Sequence, residues 1–123
     1  MDVNWVAVVV GAIIAFILGW LWYSPMLFGT KWASGVGINI DDKSGPPIKA
    51  LVTQAFGTFL LAWVVGITET TGSIELTALI AVTMALLIKA NGFFVNKSKY
   101  AITTESSFIL VMVVVMILTH AVL

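Results

Sequence analysis

The side chains that could do chemistry fall into two groups at opposite ends of a strongly apolar chain. Tyr23, Ser24, Gln54, Lys89, Asn91 and Glu105 stand near one end of its hydrophobic segments. Lys89 lies eight residues before Lys97 and Glu105 eight residues after it, so two antiparallel helices joined near Lys97 carry them at similar depth. A charge in hydrocarbon is costly unless paired or hydrated. The spacing therefore predicts a Lys89–Glu105 pair within a polar cluster open toward the cytoplasm. Such a cluster serves either as a hairpin clasp, with Lys89 snorkelling, or as a vestibule for an anion, a headgroup or a small solute.

At the other end, Met112, Met116 and His120 share a helix face at a spacing of four. Soft sulfur and imidazole suit a copper ion, and Glu69, Glu75 and Asp2 could add oxygen ligands. Methionine on a buried helix is more often a gap filler, so these three are weak metal candidates and no cofactor is expected. Catalysis is not expected either. The chain has no cysteine, its single histidine is predicted at the end opposite Glu105, and Gly35-Val36-Gly37 lacks the strand and helix of a phosphate loop.

The elements that must position these groups are membrane spans. Segments 3–23, 48–68, 74–94 and about 106–123 are predominantly apolar and near the ~20 residues a helix needs to cross the bilayer. Only helices satisfy their own backbone at that depth as separate segments of this kind. The 123 residues are 60% hydrophobic with a mean hydropathy of +1.08, which excludes an ordinary soluble domain. The expectation is one all-α polytopic domain, residues 1–123, with the lipid bilayer as its first partner. Zero net charge and an acidic second connection leave no basic face for nucleic acid.

Lysine placement sets the orientation. Lys31, Lys43 and Lys49 lie in or beside the first connection and Lys97 and Lys99 in the third, whereas the second connection and both ends carry Asp2, Glu69 and Glu75. By the positive-inside bias the first and third connections are predicted cytoplasmic and both termini outside, in the cell membrane. Asp2 replaces the basic region of a signal peptide, so the first segment reads as a retained helix. Trp5 and Trp63 should mark the outer interface; Trp22, Tyr23, Trp32, Phe93, Phe94 and Tyr100 should mark the inner one.

Small or short polar residues recur at every fourth position on three spans. The first carries Ala7, Gly11, Ala15 and Gly19; the second Ala50, Gln54, Thr58, Ala62 and Gly66; the third Ser73, Thr77, Ala81 and Ala85. Missing bulk lets backbones approach where no hydrophobic drive separates helix from lipid. The stripes either close one bundle or leave a face over for a homo-oligomer.

In the first connection, Ser24 and Pro25 open a short interfacial helix with Met26, Leu27, Phe28 and Trp32 on its apolar side, ended by Gly35 and Gly37. Asn39-Ile40-Asp41-Asp42-Lys43-Ser44-Gly45-Pro46-Pro47 reads as a solvated turn region.

Trp22-Tyr23-Ser24-Pro25, then Leu27-Phe28-Gly29 and Trp32 after a glycine-bearing helix, resembles the hallmark of the prokaryotic domain-of-unknown-function family 1761, as does the later run Asn91, Phe94, Lys97 and Ser98. The resemblance covers nearly the whole chain and is most specific in the first cluster. It implies a small four-helix membrane protein and brings no activity with it. Glu105 departs from the pattern.

Two function classes remain. One is a structural or accessory subunit packing with itself or in a larger membrane complex. The other is a small oligomeric transporter, similar in size and span count to the small multidrug resistance proteins. The first span lacks a buried carboxylate and the lysines are one-sided, which favours the accessory subunit.

Overall fold

A computed structural model describes residues 2–38 and 47–123. The turn region expected from Asn39 onward lies outside the described residues up to position 46; Pro47 is the N-cap of the helix that follows. The helices run in the order α1 (Trp5–Trp22), α2 (Gly29–Val36), α3 (Ile48–Thr70), α4 (Ile74–Phe94) and α5 (Lys99–Val122). Four of them, α1, α3, α4 and α5, are long and apolar enough to cross a membrane. The described residues form an all-helical multi-pass membrane protein, with α2 as the short helix after the first span. That helix begins at Gly29, with Phe28 as its N-cap, and not at Ser24 and Pro25 as expected, because residues 24–28 form the turn out of α1. Of the two glycines expected to end it only Gly37 does so, Gly35 lying inside it.

Helix ends follow local chemistry. Asn4 caps α1 by accepting from the Ala7 amide at 3.1 Å, and Ser98 caps α5 by accepting from the Ala101 amide at 3.1 Å. Gly37 ends α2 in the left-handed region, φ 82°, and Gly72 makes the α3–α4 turn at φ 67°, both positions where a side chain is strained. Asn96 takes the same conformation at φ 59° after α4, one of the few non-glycine residues that does so readily.

The last helix starts earlier than the apolar run implies. It begins at Lys99, where the sequence places the span from about 106. Its extra turns pay their way by burial: Ala101, Ile102 and Thr104 lie inside the protein. α5 is the central element and touches every other helix.

The small-residue stripes pack within this one chain. A Cβ at Gly11 would stand 2.8 Å from Thr119 Oγ1, and one at Gly19 would stand 2.8 Å from Phe108 Cζ. Ala7 and Ala15 are buried along the same line, and the Thr119 hydroxyl reaches the Ala7 carbonyl at 3.3 Å. On α3, Ala62 is buried and Gly66 fits against Val8; on α4, Thr77, Ala81 and Ala85 are buried. The lower part of the α3 stripe differs. Ala50 and Gln54 are exposed.

Candidate functional site

The lysine-bearing end of the bundle holds the most concentrated chemistry. After Tyr23 the chain folds into an elbow: the Leu27 and Gly29 amides donate to the Ser24 carbonyl at 3.1 and 2.9 Å, and the Phe28 amide to the Trp22 carbonyl at 3.2 Å. Gly29 is required there, since a Cβ would collide with the backbone of Tyr23 and Ser24. The elbow lays α2 against the first turns of α5. Gly35 sits directly on Ser98 and Ala101, and its carbonyl accepts from the Ser98 amide at 3.1 Å.

Aromatic rings fill the joint. Phe108 of α5 meets Trp22 at 5.8 Å and Tyr23 at 5.5 Å between ring centroids; Trp22 also meets Phe28 at 4.7 Å and Tyr23 meets Trp32 at 4.7 Å. All but the tilted Trp22–Phe108 pair are edge-on, and such pairs contribute about 0.5–1.5 kcal/mol each beyond burial. A buried indole also needs an acceptor for its N–H. Trp22 donates to the Thr104 carbonyl at 3.1 Å, and Trp32 donates to Glu105 Oε2 at 2.9 Å.

Glu105 has a second partner, and it is not Lys89. Lys97 Nζ donates to both carboxylate oxygens, at 2.9 and 3.0 Å. The Lys89–Glu105 pair expected from matched depth is therefore corrected. Depth was matched but azimuth was not: Glu105 points toward α2, whereas α4 meets α5 through Gly92 against Ile102. The left-handed turn at Asn96, closed by the Lys97 amide on the Gly92 carbonyl at 2.9 Å, carries Lys97 to the carboxylate. The two side chains are 26% and 16% exposed, so the ammonium and carboxylate meet at the edge of the bundle.

The six residues expected as one polar cluster are dispersed. Tyr23 joins the Trp32–Glu105 side of the joint. Ser24 spends its hydroxyl on the Leu21 carbonyl at 2.7 Å. Gln54 donates to Thr58 Oγ1 at 3.3 Å in a separate cleft beside α3. Asn91 is exposed and Lys89 half-buried on α4. What sequence reasoning missed was Trp32, Lys97 and Phe108 as the partners. The indole N–H of Trp32 was the available signal, because a tryptophan on a buried face implies an acceptor opposite it.

At the far end, Met112 and Met116 are buried in the common core with Val8 and Val65. His120 lies beside Gly66 and lines a cavity of about 140 Å³ with Thr68, Glu69, Ser73 and Thr77. Both its ring nitrogens are buried without a hydrogen-bond partner among the described residues. At the same end Trp5 and Trp63 pack at a tilt, 5.3 Å between centroids. No group of three or more His, Cys, Asp or Glu side chains placed to hold a metal occurs among the described residues.

Four apolar helices, clasped at one end by an aromatic elbow locked onto a single carboxylate, define a small multi-pass membrane protein. The chain belongs to the family described as "Protein of unknown function (DUF1761)", whose model matches residues 6–122. No curated protein and no solved structure matches it.

Proposed function

We propose that this protein is a structural or accessory subunit of a membrane assembly, formed with itself or with a larger complex, without enzymatic activity and with its lysine-bearing end in the cytoplasm. One observation carries the reading: the helix interface at mid-depth is filled by Ala12, Ala15, Leu61, Ala62, Ala81, Met112 and Val113, with Thr58 its buried polar side chain among the described residues, and the Lys97–Glu105 pair sits at the edge of the bundle. Buried hydroxyls are satisfied inside the bundle, some across helices, as with Thr77 on Thr68 and Thr119 on the Ala7 carbonyl, and others on their own helix. Thr68 donates to the Val65 carbonyl, Ser106 to Ile102, Thr104 to Tyr100, and Thr119 to Met116. A transporter instead needs a polar or ionisable site near the midplane that both sides reach in turn. The Trp22-Tyr23-Ser24-Pro25 cluster also supports an architectural role, since its side chains and carbonyls serve the elbow.

The test is the mass of the particle purified in mild detergent, with flux of cations and organic solutes into proteoliposomes measured alongside. A stable assembly without flux is expected. A monodisperse monomer with saturable flux overturns the reading in favour of transport.

A further inference from the structure

Away from the Gly72 turn, α3 and α4 border a cleft of about 460 Å³ with α5 along one wall, within the size range of ligand pockets. The character of its wall changes with depth. Lys49, Thr53 and Gln54 stand at the lysine-bearing end, and Leu61, Met84, Ile109 and Met112 at the other. Lys49 to Leu61 spans about 18 Å of helix at 1.5 Å per residue. That distance runs from headgroup level to about the middle of a ~30 Å hydrocarbon core. There the cleft stops: Leu61, Ala62, Val65 and Ala81 belong to the common core, and further along Thr77 donates to Thr68 at 2.6 Å.

Depth and polarity together select the occupant. A spanning helix from a second copy would need a groove along the whole bilayer, whereas a lipid tail needs one leaflet. An ammonium at the mouth complements a phosphate, and lysine-bearing pockets between spans suit anionic headgroups. Gln54 gives one N–H to Thr58; its carboxamide has a further N–H and an acceptor oxygen for the glycerol ester region. Gly57 keeps the passage open, since a Cβ there would meet nothing within 4 Å.

We propose that this cleft is a binding site for one acyl chain of an anionic phospholipid, in the leaflet at the lysine-bearing end. The phosphate lies at Lys49, the ester region at Thr53 and Gln54, and the tail against Leu61, Met84 and Met112. The site does not depend on the accessory role proposed above.

Native mass spectrometry of delipidated protein, titrated with dioleoylphosphatidylglycerol or dioleoylphosphatidylcholine, tests it. The anionic lipid should be retained about fivefold more strongly, the factor one lysine contributes at an anionic surface. Lys49→Gln should abolish that preference, and Gly57→Trp should remove the adducts of both lipids. Ile13→Trp, on an exposed face of α1, should leave them unchanged. Circular dichroism confirms that each variant is folded; Gly57→Leu replaces Gly57→Trp if the latter is not. Equal retention of the two lipids, or adducts indifferent to the substitution at Gly57, overturns the proposal. So does a dimer whose dissociation by Gly57→Trp, rather than lipid loss, is the effect observed.

Discussion

Trp32 donates its indole N–H to Glu105 at 2.9 Å across 73 positions of sequence, and that bond fastens the interfacial helix to the central span. Glu105 is held from its other side by Lys97. The carboxylate thus joins three parts of the chain: α2, the α4–α5 turn and α5.

A double-mutant cycle should find the coupling at Lys97. Lys97→Met with Glu105→Gln is expected to show about 0.5–3 kcal/mol of interaction energy, as contacting pairs do, whereas Lys89→Met with Glu105→Gln should be additive within about 0.5 kcal/mol. Unfolding in mixed micelles measures both. Coupling to Lys89 and none to Lys97 would reverse the assignment.

Trp32→Phe keeps a ring against Tyr23 and removes the donor to the carboxylate. The expected loss is about 1.5–3 kcal/mol, the range for hydrogen bonds to charged groups. The same loss in a Glu105→Leu background, which has no acceptor for the indole, would show that the ring, and not the bond, matters.

Glycine positions should separate sharply. Gly29→Ala forces a Cβ into the backbone of Tyr23 and Ser24, and about 3 kcal/mol, the upper range for overpacking, is expected. Gly57→Ala meets nothing within 4 Å and should gain about 0.5–1 kcal/mol from helix propensity. Equal effects at the two sites would contradict the packing described.

Leucine at Gly11 or Gly19 should disrupt the folded chain itself, because those positions face Thr119 and Phe108 of the same molecule. Loss of folded monomer, seen as aggregation in mild detergent, is expected. A well-folded monomer released from a larger assembly would place the stripe at a subunit interface instead.

Orientation is checked by reporter fusions. One at Gly37 should report the cytoplasm, and those at Gly72 and the C-terminus the outside. A cytoplasmic C-terminus would invert the side proposed for the lysine-bearing end.

Apolar run length in the sequence by itself determined that this protein has four helices able to span a bilayer, because hydrocarbon thickness and backbone satisfaction act on each segment separately, and the Ser24-Pro25 step with the later glycines marked a short helix after the first. The spacing of Gly11, Gly19, Ala81 and Ala85 likewise marked the close-packing faces, since helical periodicity is local. Which helix each face meets was decided only in three dimensions. Lys89 and Glu105 agree in depth, a one-dimensional quantity, yet the partner was Lys97, because azimuth around α5 depends on where α2 and α4 dock. Gln54 left the expected cluster for the same reason: α3 borders a cleft with α4 and α5, away from the elbow. Pairing depends on the rotation of whole helices about their axes, and that is fixed by the sum of all their packed faces rather than by any one residue's position in the chain.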